Sequence, residues 1–144
     1  MAVSFTKVND FVEDVGNGVH DLSNDQLVVA LSNTAPGSET SDPTADGNGV
    51  LANVTEISYT NLSSRNITTD SYALSSGTAK LTLTDLVLTA SGSVGPFQYI
   101  YLSNDDATND ELIGVYDYGS EVTLADTDTF TIDFDNSNGV LTLA

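Results

Sequence analysis

The apolar positions follow one period at the start of the chain and another everywhere after it. Phe5, Val8, Val12 and Val15 recur at spacings of three, four and three, with Phe11 beside them, so one amphipathic helix is expected over residues 4–15. Gly16-Asn17-Gly18 ends it. From there the period falls to two. "QLVVALSN", Gln26 to Asn33, is apolar on both faces, as a central buried strand should be, and the polar run "PGSETSDPTADGNG" after it reads as a mobile surface loop. "VLANVTEISYT" follows, then a Ser/Thr/Asn-rich passage to about Gly77 with room for a short strand.

In "KLTLTDLVLTASG", Leu81 and Leu83 share one face while Leu86 and Leu88 fall on the opposite phase; a bulge near Thr84-Asp85 would turn all four inward. "FQYIYL" and "ELIGVYDY" read as two arms of a hairpin around a polar tip. "VTL", "TFTIDF" and "VLTLA" close the chain, with Asn138-Gly139 a hairpin signal between the last two. One helix and about seven or eight strands make the expected fold all-β and mainly antiparallel, a β-sandwich or jelly-roll-like domain with one short N-terminal helix. Residues 1–18 would form the N-terminal helix or arm, and residues 19–144 a single β-sandwich domain.

Charge narrows the choice of partner. Three basic residues, Lys7, Arg65 and Lys80, stand against twenty-one acidic ones, a formal net charge of −18. Binding to nucleic acid phosphates needs clustered Lys and Arg, so no nucleic-acid ligand is expected. No cysteine is present, which removes disulfides and zinc thiolates. The opening "MAVSFTKVNDFVEDVG" carries acids where a signal peptide is uniformly apolar, and no run is long enough for a membrane helix, so neither export by that route nor membrane insertion is expected. Asn53-Val54-Thr55 and Asn66-Ile67-Thr68 match the glycosylation tripeptide, as chance allows in a Thr-rich chain.

The segment "YLSNDDATNDELIGVYDYG" is where a chemistry would be sought. Counted from Asn104, the residues Asp106, Thr108 and Asp110 fall at calcium-loop positions three, five and seven, but Asn109 and Val115 stand where an EF-hand needs Gly and Glu. Both flanks are strand-like, so the segment reads as a hairpin with a solvated acidic tip. His20 is the only histidine, and no G-x-S-x-G elbow accompanies it. Among twenty-one acids some pair always lies within glycosidase distance, so availability carries no argument. Tyr99, Tyr101, Tyr116 and Tyr118 alternate at period two and read as one packed sheet face rather than a sugar platform. The glycine pairs Gly16/Gly18 and Gly47/Gly49 read as turns. No catalytic residue, metal ligand or cofactor site is expected, and the chain is read as a non-enzyme.

Taken in order, "FVEDVGNGVHDLSNDQLVVALSNTAP", "LANVTEIS", "SVGPFQYIYL", "NDELIGVYDYGS" and "FTIDFD" followed by "NGVLTLA" resemble a small virion structural protein of tailed bacteriophages and prophages. The likeness covers most of the chain, and "SYTNLSSRNITTDSY" departs from the Gly-rich segment that such proteins lead one to expect. It implies a capsid decoration, or cement, protein that binds the major capsid protein, is made in the bacterial host cytoplasm and ends on the virion. It implies no catalytic residue. A chain of −18 is repelled by packaged DNA, which favours the outer capsid surface, and sites of local three-fold symmetry favour a homotrimer. The competing readings are a tail or head-tail component, a calcium-assisted β-sandwich module for adhesion or carbohydrate binding, and a small glycosidase-like enzyme.

Overall fold

The computed structural model describes residues 3–144; the first two residues of the expected arm lie outside them. Ten strands follow one another in the order β1 (Ser4–Lys7), β2 (Leu27–Ser32), β3 (Asn66–Ile67), β4 (Thr69–Ser75), β5 (Thr78–Leu83), β6 (Leu86–Thr89), β7 (Val94–Asn104), β8 (Leu112–Leu124), β9 (Thr129–Ile132) and β10 (Leu141–Leu143). The helix α1 (Asp10–Gly16) lies between β1 and β2. Among the described residues every strand pairing is antiparallel. A five-stranded sheet runs β1-β8-β7-β2-β3, a three-stranded sheet β10-β5-β4, and β6 and β9 form a separate ribbon. The fold is therefore the all-β, sandwich-like domain that the alternating pattern implies.

The start of the chain departs from the helical reading. Phe5 pairs with Tyr116 on the edge of the large sheet, ring against ring at 4.8 Å, so Ser4–Lys7 is a strand. Three or four apolar residues at mixed spacing satisfy either period, and seven helical residues cannot hold a helix without tertiary packing. The exposed edge of β8 offers hydrogen bonds to the first segment, and Phe11, wholly buried, anchors what remains of the helix. Asp10 and Glu13 sit in the first turn of α1, where the helix dipole favours carboxylates.

Directly paired residues share a face of the large sheet. Phe5, Tyr116, Ile100 and Leu31 line one face, and Thr6, Val115, Tyr101 and Ala30 the other. The first face is covered by the ribbon: Phe130 of β9 meets Phe97 and Tyr118 edge-on at 5.3 Å each, and Tyr116 packs near Phe134. On the second face lies the stretch from Asn33 to Glu56. Within it Glu39 and Pro43 are buried, and the Glu39 carboxylate accepts hydrogen bonds from the Thr55 backbone N–H at 3.2 Å, from the Thr55 hydroxyl and from the Ser32 hydroxyl at 3.4 Å. Asp10 adds a second tie, accepting from the N–H groups of Gly47 and Gly49 at 2.8 Å each. The stretch expected to be a loose surface loop is thus a fastened cover. Its polar composition misled because its carboxylates bond backbone N–H groups instead of water.

Two further differences lie in the C-terminal half. No bulge is needed at Thr84-Asp85: the chain leaves one sheet there and enters another, which buries Leu81, Leu83 and Leu88 although their phases differ. Asn138-Gly139 does make a turn, with Gly139 at φ +84° and the Asp135 carboxylate accepting from the Ser137 and Asn138 N–H groups. The strands it separates do not pair with each other, however; β9 pairs with β6 and β10 with β5.

Candidate functional site

The acidic tip between β7 and β8 is built around one side chain. Asn104 closes β7 and is wholly buried. Its Oδ1 accepts the Asp106 N–H at 3.0 Å, which fixes the amide orientation, so Nδ2 points at two acceptors: the Asp25 carboxylate at 2.6 Å and Nδ1 of His20 at 3.0 Å. His20 Nδ1 is accordingly the bare nitrogen of a neutral ring, which lies 5.2 Å from the Phe11 ring. Burial lowers the pKa of His20, while the nearby Glu111 and Asp25 carboxylates oppose that shift. This is a structural histidine, held by an amide and an aromatic face.

The other polar groups of the tip are spent in the same way. The Asp106 carboxylate accepts the Gln26 N–H at 2.7 Å, and Glu111 accepts from the backbone and side chain of Asn109 at 3.1 and 3.0 Å. Backbone bonds join Asp105 to Gln26, Leu51 to Asp110, and Leu112 to Gly49. The hairpin expected from the sequence is present, but its tip is not simply solvated: it clasps the His20–Gln26 turn and the Gly49–Leu51 segment. Asn104, counted as the first calcium position, has its side chain engaged with protein groups. Among the described residues no group of three or more His, Asp or Glu side chains could hold a metal ion.

The four alternating tyrosines divide between the two faces of the large sheet. Tyr99 and Tyr101 share one with Asp117 and Val115, while Tyr116 lies opposite Ile100 on the other. The single packed face expected from their spacing is therefore not formed; the hairpin offset places the two pairs out of phase. Tyr101 is wholly buried under the Asn33–Glu56 cover, where burial, with Glu39 and Asp42 nearby, raises its pKa. Tyr116 is nearly buried, and burial together with Asp135 pushes it up to about 12.

No local pattern along the chain signals the groove beside Tyr116 and Tyr118. The exposed side of β9 does not pair with a strand among the described residues, and the space between it and β8 is a cleft of about 240 Å³. Tyr116, Tyr118, Phe130, Ile100 and Ile132 supply its apolar walls and Asp133 a carboxylate. Only the meeting of two sheets separated in sequence creates it. No helix among the described residues is long and apolar enough to cross a membrane. Comparison with protein-family models, with curated proteins and with solved structures found no match to this chain.

Proposed function

We propose that this chain is a structural protein of a tailed-phage particle that sits on the outer capsid surface as a homotrimer and stabilises the shell by bridging neighbouring copies of the major capsid protein. The observation that carries this reading is the electrostatic surface. Of the three cations, Arg65 lies over the Tyr59 ring at 3.7 Å, donates to the Val29 carbonyl and pairs with Glu56 at 4.0 Å, while Lys80 donates to the Ser137 carbonyl at 3.0 Å. With two of the three cations spent on their own chain and, among the described residues, only Lys7 exposed without such a tie, the twenty-one acidic residues leave a strongly anionic exterior, repelled by DNA and suited to the solvent side of a shell. A small β domain with its loops fastened by internal hydrogen bonds supports a role in binding and reinforcement. Each such contact stabilises the assembled shell by mass action.

Immunogold labelling of purified particles with antibody to this protein tests the proposal. Dense label over heads is the expected result. Label confined to tails would move the protein to a tail or head-tail role, and unlabelled particles would overturn the virion reading.

A further inference from the structure

Gly18, Gly47, Gly49 and Gly139 each follow an Asn or Asp: Asn17-Gly18, Asp46-Gly47, Asn48-Gly49 and Asn138-Gly139. In such a pair the glycine nitrogen can attack Cγ of the preceding side chain, because glycine puts no side chain in the way and reaches backbone conformations closed to other residues. The nitrogen must first lose its proton, so a hydrogen bond donated by that N–H has to break. The fold closes three of the four pairs. Gly18 N–H donates to the Val15 carbonyl at 3.2 Å just past α1. Gly47 and Gly49 donate to the two oxygens of Asp10 at 2.8 Å each, and an anionic acceptor opposes loss of the proton further.

The fourth pair is open. No acceptor among the described residues stands in hydrogen-bond geometry to Gly139 N–H. Asn138 is exposed, and its side-chain amide is tied to the exposed Asp135 carboxylate at 3.0 Å. The position keeps its glycine for a separate reason: at φ +84° an added Cβ would run into the Lys80 side chain and stand 2.9 Å from the Leu81 carbonyl oxygen. We propose that Asn138 is the site at which the folded protein spontaneously deamidates. Gly139 N bonds to Asn138 Cγ, the Cγ–Nδ2 bond breaks, and the displaced nitrogen leaves as ammonia with the proton that the glycine gave up. Water then opens the cyclic imide at one of its two carbonyls, which leaves aspartate or, where the backbone now runs through Cβ, isoaspartate. Either product replaces a donor with a carboxylate facing Asp135, and isoaspartate also lengthens the backbone just ahead of β10. That strand is held to β5 by the pairs Leu141–Leu81, Thr142–Lys80 and Leu143–Ala79, so it loosens as the protein ages.

The full chain is aged in mildly alkaline buffer, folded in one sample and in urea in another, then digested and mapped by mass spectrometry, with isoaspartate assayed by enzymatic methylation. In the folded chain conversion at Asn138 should run roughly tenfold ahead of that at Asn17 and Asn48, the effect of one hydrogen bond that must open first, and in urea the three rates should converge. Amide exchange at Leu141 to Leu143 should quicken with the fraction converted. It should hold steady in Asn138→Gln, whose longer side chain closes the ring far more slowly. Equal rates at the three asparagines of the folded chain, or a lead for Asn17 or Asn48, would overturn the assignment. Converted protein whose β10 amides exchange at the starting rate would overturn the loosening.

Discussion

At the scale of single residues, the chain's buried polar side chains join segments far apart in sequence. Asn104 and His20 are separated by 84 positions and meet because the tip of the hairpin folds back on the turn after α1. Substituting Asn104 by Ala strips a hydrogen bond from each of His20, Asp25 and the Asp106 N–H, and should lower stability by about 2–3 kcal/mol in urea denaturation. His20 also predicts a pH dependence. Its folded pKa lies below the ordinary imidazole value of about 6.5, so as pH falls the unfolded chain takes up the proton first. The contribution is complete above the unfolded value and is lost as pH drops through it towards the folded value. Asp14 works in the opposite sense, because burial, then Asp10, Glu111 and Glu13, raise its carboxyl and make protonation on acidification favourable to the fold. The informative quantity is therefore a difference: the stability of the wild type relative to His20→Gln should shrink between pH 7.5 and pH 5.5, values chosen to span roughly one unit either side of the imidazole value. A constant difference would remove His20 as the source. Glu39→Ala leaves the Thr55 N–H without its carboxylate and should cost about 1–3 kcal/mol, with faster amide exchange through the Asn33–Glu56 cover.

At the scale of elements, edges and junctions decided what periodicity could not. The β7–β8 hairpin and the central strand β2 were readable because long alternating or fully apolar runs admit one interpretation. The segment holding Phe5 and Phe11 admits two, and the free edge of β8 selected the strand for its first half. Gly114 shows how close that pairing is: a Cβ there would meet the Phe5 ring and stand 2.7 Å from the Thr6 carbonyl oxygen. Gly114→Ala should therefore loosen β1 and destabilise the fold by about 1–3 kcal/mol, visible as a lower thermal midpoint and earlier amide exchange at Phe5 to Lys7. The Asn138-Gly139 turn was legible as a turn but not as a link between two sheets, since turn chemistry fixes a reversal and not the partner of the strand beyond it.

At the scale of the whole molecule, one number governs behaviour: the charge of −18 on 144 residues. Self-repulsion destabilises the compact state, and salt screens it over a distance of about 10 Å at 0.1 M. The thermal midpoint should therefore rise as sodium chloride increases from about 10 to 150 mM, over which the screening length contracts from about 30 to 8 Å. A midpoint that falls with salt would mean that attractive ion pairs dominate, at odds with a chain in which Arg65–Glu56 is the salt bridge found among the described residues.

The all-β class, the central hairpin, the acidity and the lack of any thiol were legible in the order of residues alone, because alternation, charge and composition are properties of neighbouring residues or of simple counts. Long-range packing made Ser4–Lys7 an edge strand, a polar loop a cover, the acidic tip a clasp around Asn104, and the space between β8 and β9 a groove. Each of these depends on which distant segments meet. A strand edge, a buried amide or a groove wall is completed by a partner dozens of residues away, and no local period records that partner.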